Sequence, residues 1–179
     1  MTASNMLAAL GQLWTGQDAD ACGAYTQSDL HGDETWVERP PHQWPARWHG
    51  TYKNPVCRLI KALYGHPKTG LYWEPHCRKA LAHCGVQPAL GWECFYRHDA
   101  QCLFLSVYVD DVHMVGRKGT LAAMWAELHE HLDIDPPTHL DVSVYLGVKQ
   151  HEVPPDTHMV VAKRQLYLDF FQQQDVVHT

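Results

Sequence analysis

The 179-residue sequence has no apolar run approaching the roughly 20 residues that a membrane-spanning helix needs, so no membrane partner is expected. Its start, MTASNMLAALGQLWTG, lacks the basic segment and long apolar core of a secretory signal. Six cysteines are present without a single CxxC pair, which argues against a zinc ribbon or a thioredoxin-like site. Free thiols in a reducing, intracellular compartment are therefore expected. No GxSxG, GxxxxGK[ST] or GxGxxG occurs, so hydrolase-elbow, phosphate-loop and dinucleotide chemistry find no support. Repeats and low-complexity tracts are also missing.

What is present reads as globular: hydrophobic residues make up 45% and charged residues 19%, enough to build a core. The net charge of −6 argues at first against a nucleic-acid partner. Its distribution softens that objection, because between Thr51 and Ala80 six basic residues (Lys53, Arg58, Lys61, Lys68, Arg78, Lys79) face one acid, Glu74. Such a stretch suits either a solvated helix face or a groove for phosphates.

Periodicity supplies the elements. Leu7, Leu10 and Leu13 suit one face of a short helix. Residues 38–55 are rich in Pro, Trp and His and predict an irregular loop. Leu71 to His83 predicts a helix in which Pro75 must fall in the first turn or cause a kink. Phe95–Arg97 and Cys102–Val109 predict strands joined by HDAQ, and the run to Gly116 extends them into a hairpin. A helix follows from Gly119-Thr120 through Leu132, ended by Pro136-Pro137, with Leu121, Met124, Trp125, Leu128 and Leu132 on one face. A strand over VSVYLGVKQHEV, a short strand MVVA and a helix from Arg164 to about Gln173 complete the pattern. Strands interrupted by helices around a central hairpin predict an α+β fold, with helices on one face of an antiparallel sheet.

One stretch conflicts with burial. In SVYVDDVHMVG, Asp110 and Asp111 stand side by side inside an apolar run, where an uncompensated charge costs several kcal/mol or shifts its pKa. A solvated turn would explain them, since Asp favours turns. So would a cation held between carboxylates.

Tyr108-Val109-Asp110-Asp111 resembles the YVDD box of reverse transcriptases. Further stretches agree, in order. DACGAY (Asp20–Tyr25) resembles the first metal motif of that family. TQSDLHGDETWVERPP is similar to its copia-type continuation, and VCRLIKALYG (Val56–Gly65) to a copia-type signature, with Trp73 where that family places a tryptophan. VYLGVK (Val144–Lys149) is similar to the primer-contacting strand, and AKRQLYLDFF to the helix after it. The chain is thus identified as resembling a copia-type retrotransposon reverse transcriptase, as a palm-region fragment of a Pol polyprotein.

That resemblance implies a right-hand polymerase palm over about residues 14–153, ferredoxin-like, with a fingers insertion near 26–70 and the start of a thumb over 154–179. It implies catalytic and metal-binding roles for Asp20, Asp110 and Asp111 around two Mg²⁺ (or Mn²⁺) ions, whose hard character suits carboxylate oxygens. Tyr25, Tyr64, Gly65, Lys68 and Tyr108 would contact the deoxynucleotide or template, with Arg58 and Lys61 near phosphates. Tyr145, Leu146 and Gly147 would support the primer end. The implied partners are an RNA template, a DNA primer, deoxynucleoside triphosphates and the RNase H, integrase and protease segments of a polyprotein. The implied location is a cytoplasmic virus-like particle or the nucleus. Family members carry basic fingers residues ahead of the first motif, whereas no Lys or Arg here precedes Arg39. In place of the usual Leu-Lys-Gln-Ala-Pro stands His66-Pro67-Lys68-Thr69-Gly70, which shifts the lysine by one. Two other readings follow from the residues: an inactive retrotransposon remnant, and a non-enzymatic metal binder built on His76-Cys77, His83-Cys84, His129 and His131.

Overall fold

The computed structural model describes residues 14–140, 142–145 and 148–149. In chain order these form β1 (Trp14–Asp20), α1 (Ala24–Gln27), β2 (Trp36–Glu38), β3 (Val56–Arg58) and α2 (Thr69–His83). Next come β4 (Gln87–Pro88), β5 (Phe95–His98), β6 (Leu103–Tyr108), β7 (Asp111–Arg117) and α3 (Leu121–His129). Last are β8 (Thr138–His139), β9 (Val144–Tyr145) and β10 (Val148–Lys149). They divide into two compact units, Gly23–His76 and the chain on either side of it.

The larger unit is built on a six-stranded sheet in the order β4-β5-β6-β7-β1-β8, with antiparallel pairing throughout. Register sorts the side chains. Tyr96, Leu105, Met114 and Gln17 are successive cross-strand partners and share one face. Both helical contacts fall there: Trp125 of α3 donates its indole N–H to Gln17 at 3.0 Å, and Arg78 of α2 reaches the Tyr96 hydroxyl. The expected arrangement, helices on one face of an antiparallel sheet, is what the larger unit shows. Leu103, Leu105, Met114, Met124, Trp125 and Leu128 are fully buried and form its core.

The opposite face carries a row of aromatic rings at one end, where Trp14 stacks on Phe104 at 6.2 Å and Phe104 on Phe95 at 6.1 Å. At its other end it carries Asp18, Asp20, Asp111 and His113. The six cysteines are all free.

Three expectations need correction. Helix α2 begins at Thr69 rather than Leu71, which leaves Pro75 inside it and beyond its first turn. Helix α3 ends at His129, short of Leu132. Its exit is drawn toward the end of β1, where Cys22 N–H donates to Asp133 O at 2.9 Å and Asp135 N–H to Asp20 O at 2.8 Å. Leu132 stays buried without being helical. The single strand expected from Val142 is instead a pair, β9 and β10, antiparallel to each other. The N-terminal helix, Leu146, Gly147 and everything from Gln150, including the 154–179 region, lie outside the described residues.

In the smaller unit β2 and β3 pair antiparallel, Val37 opposite Cys57. The Pro- and Trp-rich loop between them takes two short 3-10 turns, Pro41–Gln43 and Ala46–Trp48, each entered through a proline that no regular strand accommodates.

Candidate active site

The hairpin of β6 and β7 places Tyr108 directly opposite Asp111, so its connection is only Val109-Asp110. A two-residue connection needs left-handed backbone, usually supplied by Gly or Asn. Here Val109 takes it, at φ 56°. A β-branched residue in that region is strained by roughly 1–3 kcal/mol. The turn is tied down from the side by Ala21 N–H, which donates to Asp110 O at 2.8 Å.

Strand β1 lies against β7 with Asp20 opposite Asp111 and Asp18 opposite His113. Residues two apart on a strand share a face, so Asp18 and Asp20 point to the same side as their partners. Asp20 is exposed and Asp111 is half-buried. The Asp111 carboxyl is held above the ordinary carboxylate range, first by burial and then by the charges of Asp20 and Asp110, with Asp20 within hydrogen-bonding reach. Like charges brought together in this way favour the protonated acid or a bound cation.

A cleft of about 250 Å³ opens beside the pair. Asp18, Asp20, Asp111 and Asp135 line it, together with Thr138 and Ser143. Asp135 is engaged by the Cys22 thiol, which donates to Oδ1 at 3.2 Å; this bond pushes the thiol pKa up to about 11. The donors of the cleft are hard oxygens, which suit Mg²⁺ or Mn²⁺ rather than a soft metal. Among the described residues no three His, Cys, Asp or Glu side chains stand close enough to hold one ion. By donor chemistry Asp20 and Asp111 would suit such an ion as a pair of ligands, the rest of its shell coming from substrate or water. The histidine and cysteine site weighed from the sequence is not assembled; His83 and His131 do stack, at 5.0 Å.

The other expected site residues belong to the smaller unit. Tyr25, half-buried in α1, meets the Tyr64 ring edge-on at 4.6 Å. Gly65 has φ 89° with open space around a would-be Cβ, so backbone conformation is what selects glycine there. Lys61 pairs with Asp29 at 2.7 Å, Arg58 with Glu34 at 2.9 Å and Lys68 with Asp33 at 3.8 Å. The basic stretch is thus partly neutralised by acids upstream of it in sequence, although exposed pairs of this kind hold weakly. Tyr108 is exposed beside the turn. Tyr145 is described as part of β9.

From the sequence Asp20 is preferred to its neighbour Asp18 because only Asp20 has the motif spacing to Ala24-Tyr25, and Asp135, His113 and Ser143 carry no signal of their own. Strand parity held the signal for Asp18 and His113: once Asp20 is set opposite Asp111, Asp18 must fall opposite His113.

The chain spans about a tenth of the length of the curated relatives it matches. Two from Arabidopsis thaliana are retrovirus-related Pol polyproteins, of transposon RE1 and of transposon RE2. Each is 24% identical, over 94% of this chain and 11% of its own length. No solved structure matches it. Residues 5–170 match the model of the reverse transcriptase (RNA-dependent DNA polymerase) family, and the chain belongs to that family.

Proposed function

We propose that this chain is the palm-centred part of a copia-type retrotransposon Pol polyprotein, extending a DNA primer on an RNA template. The observation that carries this reading is the pairing of Asp20 with Asp111 across two strands, with Asp110 in the adjoining two-residue turn. In nucleotidyl transfer the primer 3′-hydroxyl attacks the α-phosphate of a deoxynucleoside triphosphate and pyrophosphate leaves. Two divalent ions, Mg²⁺ or Mn²⁺, would activate the nucleophile and offset the leaving-group charge when bound.

Asp20 and Asp111 hold carboxylate oxygens toward one face, and Asp110 stands at the turn with its carbonyl anchored to Ala21. Asp20, Asp110 and Asp111 are thus the catalytic and metal-binding set in this reading. Tyr25 excludes a 2′-hydroxyl from the sugar site, and Tyr64 meets it edge-on. Gly65, Lys68 and Tyr108 contact nucleotide or template. Tyr145, Leu146 and Gly147 support the primer end. The sheet with α2 and α3 is the palm, residues near 26–70 the fingers insertion, and 154–179 the thumb start. RNase H, integrase and protease segments of the polyprotein are the further partners.

Primer extension on oligo-dT-primed poly-rA with Mg²⁺ or Mn²⁺ tests this. Extension by the parent and none by Asp110→Asn/Asp111→Asn supports it. A well-folded parent that never extends the primer makes the inactive remnant the better reading.

A further inference from the structure

Strand β1, WTGQDAD, carries little of the alternating apolar pattern that normally fixes pairing, and it has a Gly within it. Register is weakly specified in such a strand. The sequence contains a specific ambiguity, because Asp18 and Asp20 are two apart. A two-residue slip would keep every side chain on its own face and bring Asp18 opposite Asp111 in place of Asp20. Backbone hydrogen bonds do not resist it, since each residue offers the same N–H and C=O. Contacts that specify the register in the first half of the strand include Gln17 with the Trp125 indole, Gly16, where a Cβ would meet Leu140, the Trp14 stack on Phe104, and Thr15 with His139.

At the carboxylate end the distinguishing contact is buried. His113 is fully buried and Asp18 nearly so. The His113 Nδ1–H donates to Asp18 Oδ1 and the Ser143 hydroxyl to Asp18 Oδ2, so both oxygens of Asp18 have partners. A carboxylate only accepts, which assigns the proton to Nδ1. Slipping by two would leave His113 facing Gly16 and take the Asp18 carboxylate away from its buried Nδ1. Buried polar groups of this kind are best attested as specifiers of register.

We propose that the Asp18–His113 pair, fastened by Ser143, is a register lock that holds Asp20 opposite Asp111 and withholds Asp18 from the cation. Asp18 and His113 are positioning residues: they act through Asp20. The consequence for cation binding rests on the polymerase reading, whereas the register itself does not.

The test compares the parent with Asp18→Leu/His113→Leu, which keeps bulk and removes the pair, and with Asp18→Asn, which keeps acceptors and shape. Cross-strand NMR contacts report the register, and Mn²⁺ titration reports the site. The parent and Asp18→Asn are expected to show one register, with Asp20 beside Asp111. The double Leu variant is expected to fold but to show split or shifted contacts at residues 18–20, with Mn²⁺ affinity at least about tenfold lower. A folded double Leu variant with the single parental register overturns the lock, whatever its Mn²⁺ affinity. A shifted register together with a parent that does not bind Mn²⁺ upholds the lock and counts against the polymerase reading instead. Should the double Leu variant fail to fold, His113→Asn, which is less disruptive, is read by the same contacts with the same two outcomes.

Discussion

Two residues at the candidate site are held against their own preferences. Val109 takes left-handed backbone to close the hairpin. Val109→Asn, which tolerates that region, is expected to raise the melting temperature by the equivalent of about 1 kcal/mol; an unchanged or lower value in thermal denaturation would show the turn to be unstrained. Asp111 is the second case, its carboxyl raised by burial and then by Asp20 and Asp110. A raised folded value means that stability is present below the unfolded pKa and is lost as pH rises through the folded one. In the metal-free protein Asp111→Asn should therefore melt higher than the parent at pH 7, with the difference closing below about pH 4. Paired melts in chelator would show the reverse order if the carboxylate were well solvated. Asp29 has the opposite sign: hydrogen bonding to Lys61 lowers its pKa, so its contribution is present at neutral pH and fades in acid. The sequence made Asp110 and Asp111 legible because two charges in an apolar run demand a reason. It hid Asp18 and His113, since neither an acid nor a histidine alone signals a partner 95 residues away.

At the scale of elements, apolar spacing gave the hairpin and the buried face of α3 almost to the residue, because burial enforces the period. It failed where tertiary bonds override it. The end of α3 was set by backbone groups of β1 that claim Asp133 and Asp135, which no local pattern records. Pro75 lies past the first turn of α2, where it removes an N–H bond, yet the helix continues to His83. Replacing it should make α2 stronger. Pro75→Ala is expected to stabilise the chain by up to about 3 kcal/mol, read as a shift in the urea midpoint. No shift would mean that neighbouring contacts already compensate for the missing bond.

The larger unit sets its helices on one face of the sheet and Asp18, Asp20, Asp111 and His113 on the other. Its core is centred on Leu105 and Met114, both fully buried on the helical face. Leu105→Ala should cost about 2–5 kcal/mol of unfolding free energy, while the carboxylates on the opposite face keep their arrangement. A loss below 1 kcal/mol in denaturant titration would contradict that packing. The two-unit division was only partly legible: the composition of residues 38–55 marked a loop, but the limits Gly23–His76 depend on contacts formed in three dimensions. In the polymerase reading Asp20 and Asp111 together receive a divalent ion. Mn²⁺ binding is followed by electron paramagnetic resonance on the parent, Asp20→Asn, Asp111→Asn and the remote control Asp29→Asn. Binding is expected in the parent and in Asp29→Asn, and weakened at least about tenfold in each of the other two. Equal affinity in all four would contradict that reading.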